Sequence, residues 1–200
     1  MNTQSPISYE GALRKINTGD IVFLSGAKGL FSRAITKVTK SPFSHVGIAV
    51  WLTDCTCSNR APLPFIVEAF SAGRRIVSLS YYGESRSLSV IESPIPWEKY
   101  SDELMQRTGR EPYGWLDLLG LGLKELIGLK GLDFNGEVCS EMVAKSLNRG
   151  GLGLDPMQSP GSLYTDLLSR GFALKAVTDP KIEDEPYTWS NHDHPYPNEL

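Results

Sequence analysis

Residues 45–52 read HVGIAVWL, and everything after the histidine is apolar or glycine. A continuous apolar run of this length, rich in β-branched and aromatic residues, fits a strand covered on both faces near the middle of a sheet. Working outward, FIVEAF (65–70), RIVSLS (75–80) and SLSVIE (87–92) have the composition of neighbouring strands. GDIVFLSG (19–26) supplies another between turn residues, and FALKAV (172–177) a last one. Helical patterns flank this block at 8–16, 28–40, 98–108, 115–129, 139–149 and 162–170, the first opened by Ser8. Strands clustered together, with helices before and after, predict an α+β fold: a small antiparallel sheet with flanking helices.

Residues 1–178 are expected to form one domain. From Asp179 the composition changes to DPKIEDEPYTWSNHDHPYPNEL, poor in aliphatic residues and repeatedly interrupted by proline, which predicts a C-terminal tail over 179–200. The chain has 200 residues, 40% hydrophobic and 22% charged, enough for a core that needs neither metal nor disulfides to hold it. Its 20 Lys+Arg against 23 Asp+Glu argue against a nucleic-acid partner, because phosphate neutralisation calls for a basic surplus. Three irregularly spaced cysteines are not a disulfide framework, and Cys55 and Cys57 are too close in sequence to bridge each other. The first fifteen residues lack a basic segment followed by an apolar run, and no apolar stretch reaches about 18 residues. No secretory signal or transmembrane segment is therefore expected. That points to the cytoplasm, with release by lysis or carriage by a phage also consistent. Nothing in the sequence bears on oligomeric state.

Three residues invite a chemical reading. Cys139 stands in GEVCSEMVAKSL, at the start of an apolar-periodic helix. There the unpaired N–H groups and the positive end of the helix dipole favour a thiolate, and the same groups can receive an oxyanion. The plain alternative is a small buried residue filling a gap between helix and sheet. His45 opens the central apolar strand, where its ring nitrogens need partners. It is a candidate general base, or else a residue that merely hydrogen-bonds backbone. Glu68 is the sole charge in FIVEAF. It either points to solvent together with Ile66 and Phe70, or it is buried and paired, and could then orient His45 as the third member of a triad.

The segments GD-IVFL (19–24), SHVGI (44–48), VEAF (67–70) and VCSEMV (138–143) together resemble the permuted papain-like branch of the NlpC-type cysteine peptidase/amidase superfamily. In that branch the order along the chain is histidine, acidic or polar residue, then cysteine. The resemblance covers residues 18–150 and implies Cys139 as nucleophile, His45 as base and Glu68 as orienting residue. It also implies a circularly permuted papain-like fold, with the nucleophile's helix packed on the sheet. The loop at 53–64 is longer than a tight hairpin, and the tail has no counterpart in the family.

The implied reaction is amide cleavage through an acyl-enzyme, with a peptidoglycan peptide as substrate and no cofactor. Lipid acyl chemistry of the lecithin:retinol acyltransferase type is the alternative for an acylated substrate. A binding module that keeps the scaffold without turnover is a third reading. Tyr113, in EPYGW, is a candidate substrate-binding hydroxyl. The run WLDLLGLGLKELIGL (115–129) reads as a core helix by default and as an acyl-chain surface in the sharper reading. A metal site built from Cys55, Cys57, His192 and His194 matches no compact zinc module, so no metal is expected. GAKGL and RGGLG lack the Lys-Ser/Thr ending of a phosphate loop and read as turns.

Overall fold

The computed structural model of the chain describes residues 5–25, 36–37, 40–52, 62–70, 73–83, 86–109 and 138–179. Six strands form one sheet: β1 (Ile21–Ser25), β2 (Phe43–Leu52), β3 (Leu63–Phe70), β4 (Gly73–Ser78), β5 (Leu88–Ile91) and β6 (Leu174–Val177). Their spatial order is β4-β3-β2-β1-β5-β6, and every neighbouring pair is antiparallel. Among the described residues they are accompanied by the α-helices α1 (Tyr9–Leu13), α2 (Ser101–Arg107), α3 (Cys139–Arg149) and α4 (Pro160–Ser169). The α+β architecture expected from the sequence is thus present.

The sheet is covered on both sides, which accounts for the unbroken apolar run of β2. Ile21, Phe23, Val46, Ile48, Val50, Val67 and Ala69 form one core with Met142, Val143 and Leu147 of α3 and Leu163 and Leu167 of α4. Residues of opposite parity, Val22, Leu24, Ala49, Ile66, Leu88 and Val90, meet Tyr9, Ala12 and Leu13 of α1 together with Leu79 and Tyr82. Side chains alternate faces along a strand, so each strand serves both layers.

Several boundaries differ from the sequence pattern. The first helix stops at Leu13, where the expected one ran to residue 16. The strand expected over 75–80 ends at Ser78 and turns at once into a short 3-10 helix, Leu79–Tyr81. That turn places Leu79 and Tyr82 in the second core. The helix expected from residue 162 begins two residues earlier. Ser159 accepts a hydrogen bond from the Ser162 N–H (3.2 Å), and Pro160 occupies the first turn, where its missing N–H is harmless. Of the helix expected over 28–40 only residues 36, 37 and 40 are described, the first two helical and the last in a turn. The run 115–129 and the tail from residue 180 lie outside the described residues.

Two ties close the molecule. Ile7 forms a parallel bridge with Thr178, with its N–H on the Val177 carbonyl (2.9 Å). Lys175 of β6 reaches buried Asp20, just ahead of β1, at 2.6 Å. On the other flank, Glu103 of α2 receives Arg74 of β4 (3.8 Å) and Arg149 of α3 (3.1 Å).

Candidate active site

β2 begins irregularly. Leu24 of β1 faces His45 but the next residue, Ser25, faces Phe43, so Ser44 is an extra residue at the register shift. Such a bulge bends the strand locally and re-aims the side chains beside it. His45 is the first residue after it and is only 8% exposed.

On β3, Ile66, Glu68 and Phe70 share a face, and the face runs from core to surface. Ile66 and Glu68 are fully buried, whereas Phe70 is 41% exposed. The solvent-facing alternative for Glu68 is therefore ruled out. His45 Nε2 lies 2.7 Å from Glu68 Oε2. The approach passes over Gly47, which stands across from Glu68 one step beyond the Ile48–Val67 pair. A Cβ on Gly47 would come within 2.6 Å of Ile66 Cγ1 and the Val67 carbonyl. Only glycine lets the two strands lie this close.

Glu68 has two further partners that sequence reasoning missed. Arg75 is its direct cross-strand neighbour on β4, with Nε donating to Oε1 at 2.8 Å and Nη2 at 2.8 Å from the same oxygen. Tyr82 donates its hydroxyl to Oε2. The Arg75–Glu68 pairing could have been counted from a tight hairpin between FIVEAF and RIVSLS. Tyr82 carried no such signal, because it follows a 3-10 turn that breaks the strand period.

Burial by itself would push the Glu68 carboxyl up. The hydrogen bond and charge of His45, followed by Tyr82 and Arg75, outweigh burial and hold it below its ordinary value. Burial likewise pushes the Tyr82 hydroxyl up, and the Glu68 charge pushes it further, so it remains a donor.

Cys139 is the first residue of α3, a free thiol and 5% exposed. Val138 caps the helix in an extended conformation, and its side chain holds no oxygen to accept from the first turn. The Glu141 carboxylate turns back to the Val138 N–H (3.3 Å), with Lys145 beside it at 2.8 Å. The first-turn N–H groups therefore meet no acceptor on the side chain of the cap residue.

The Cys139 side chain lies close enough to act on the His45 ring. Because Nε2 is held by Glu68, Nδ1 is the nitrogen left for the sulfur. Burial of the ring lowers its proton affinity, but the Cys139 side chain, then Glu68, overcome this and raise His45 to about 10. An imidazole in that position is predisposed to hold a proton.

The structure thus brings together Cys139, His45 and Glu68. Tyr113, Cys55, Cys57, His192 and His194 lie outside the described residues. Among the described residues no group of three or more His, Cys, Asp and Glu side chains is arranged to hold a metal. An open cavity of about 870 Å³ adjoins the start of β2 and is lined by Phe43, Tyr164, Ser25, Ser89 and Ser162 among others. None of Cys139, His45 and Glu68 lines it, so it neighbours the site without being part of it.

No family model matches the chain, and no curated protein matches it. Among solved structures, the metalloprotein yiiX from Escherichia coli O157:H7 (DUF1105) has a similar chain path. It is 19% identical with a TM-score of 0.47, over 82% of this chain and 88% of that one. A likeness at this level bears on no residue of the site. No helix of the described residues is long and apolar enough to cross a membrane.

Proposed function

We propose that this chain is a cysteine hydrolase of permuted papain-like fold that cleaves amide bonds in peptidoglycan peptides through an acyl-enzyme. The observation that carries this reading is the disposition of His45. One ring nitrogen is anchored 2.7 Å from a fully buried carboxylate, and the ring lies within electrostatic reach of the thiol that starts α3. The chain order His45, Glu68, Cys139 agrees with the permuted arrangement.

In this mechanism His45 takes the Cys139 proton and the thiolate adds to the scissile carbonyl. First-turn N–H groups of α3 hold the resulting oxyanion. His45 then gives its proton to the departing amine, leaving a thioester on Cys139. Water, deprotonated by His45, releases the acid and restores the thiol. Glu68 keeps the ring oriented throughout and stabilises the imidazolium.

The test is a muropeptide digest analysed by mass spectrometry, run beside a short-chain phospholipid, with wild-type protein and Cys139→Ala. New amine and carboxylate ends in the muropeptide, absent with Cys139→Ala, are expected. Fatty-acid release in place of peptide cleavage would transfer the same machinery to lipid acyl chemistry. Inertness toward both, with Cys139 no more reactive than an ordinary thiol, would leave a non-catalytic scaffold.

A further inference from the structure

The environment of Glu68 is one-sided: among the described residues, every group that bonds its two oxygens is a donor. From β2 comes His45 Nε2, from β4 come Nε and Nη2 of Arg75, and from the turn after β4 comes the Tyr82 hydroxyl. A carboxylate offers about four acceptor sites, so these donors saturate it. Arg75 is the permanent charge among them. It is also the partly exposed member, 37% accessible at its side chain, with its guanidinium 4.0 Å from the centre of the Phe70 ring. Arg86, a second cation nearby, lies over the Tyr82 ring at 4.9 Å.

We infer that Arg75 is a positioning residue that completes a chain of partners, Arg75–Glu68–His45, and so keeps Glu68 ionised and the ring set as the base that activates Cys139. The inference rests on the thiol-hydrolase reading above. Without Arg75 the buried carboxylate would lose its permanent counter-charge and would take up a proton more readily. A protonated Glu68 would donate either to the Tyr82 hydroxyl or to His45 Nε2. Donation to Nε2 would move the proton of a neutral ring to Nδ1, so that Cys139 would face a donor where it needs a base.

The experiment needs no substrate. Iodoacetamide alkylation of Cys139 is followed against pH in wild type, Arg75→Gln, Arg75→Lys, Glu68→Gln and Glu68→Gln/Arg75→Gln, with thermal midpoints recorded alongside. In Arg75→Gln the reactive limb is expected to move up by about one pH unit, a roughly tenfold slower reaction at pH 6. Arg75→Lys should recover most of that shift, and Arg75→Gln should add no further shift in the Glu68→Gln background. A purely structural arginine would lower the midpoint without moving the limb, and an unmoved limb in Arg75→Gln overturns the inference. If Arg75→Gln does not fold, Arg75→Lys and the double variant decide: a lysine limb shifted as far as that of Glu68→Gln also overturns it. Wild-type Cys139 that lacks any reactive limb below pH 8 removes the hydrolase reading itself, and the inference with it.

Discussion

α3 and α4 pack on the same face of the sheet, yet their first turns are built in opposite ways. α4 starts with Ser159, whose hydroxyl takes a first-turn N–H, and then Pro160, which has none to leave unpaired. α3 starts with Val138, buried and without a side-chain acceptor, and then a thiol. One first turn is closed by its cap, and the other keeps its N–H groups uncapped, as the proposed hydrolase chemistry requires.

The largest effect that would break the contrast is expected at His45, because α4 has no equivalent base. His45→Ala should slow alkylation of Cys139 at pH 6 by about a hundredfold, as the thiol returns toward ordinary behaviour. The same variant tests the charge state. Folded His45 titrates near 10 in place of the usual 6.5, so its contribution to stability is complete below about 6.5 and is lost as pH rises toward about 10. Wild-type thermal midpoints should decline across that window, and those of His45→Ala should be flatter.

A smaller effect is expected from giving α3 the cap it lacks. Val138→Thr places a hydroxyl where the N–H groups of residues 140 and 141 can use it. Alkylation should slow by about two- to fivefold, the equivalent of roughly 1 kcal/mol of competing hydrogen bond. Unchanged reactivity in that variant would mean that the first turn of α3 does not act on the thiol. The smallest effect on chemistry belongs to α4. Ser159→Ala should cost about 1 kcal/mol in denaturant unfolding and leave the alkylation rate as it was.

Much of the architecture was legible because burial on two faces writes itself as composition. HVGIAVWL had to be interior, and the strands around it could be placed from β-branched runs between turn residues. Glu68 was legible for the converse reason, since a lone charge in an apolar strand needs a partner. The identity of most of its partners was not. Arg75 lies in the edge strand β4, where arginine is an unremarkable surface residue until the register sets it opposite Glu68. Tyr82 becomes a ligand of the carboxylate only because β4 ends two residues earlier than its pattern predicts. The cap on α4 is written plainly as Ser159–Pro160, two residues ahead of the point from which the apolar period predicts the helix. Local patterns report burial well, whereas partnerships across strands depend on register and on where a strand stops.

The bridge between Ile7 and Thr178 has a consequence for engineering. It brings the two ends of the described fold to neighbouring positions, with the Asp179 N–H returning to the Ile7 carbonyl at 3.2 Å. Entry and exit at one point make residues 7–179 suited to insertion into a loop of a host protein without pulling the sheet apart. For the same reason a short linker across the bridge would allow new termini to be opened elsewhere in the chain. The order in which Cys139, His45 and Glu68 are synthesised could then be changed while their arrangement in space is kept.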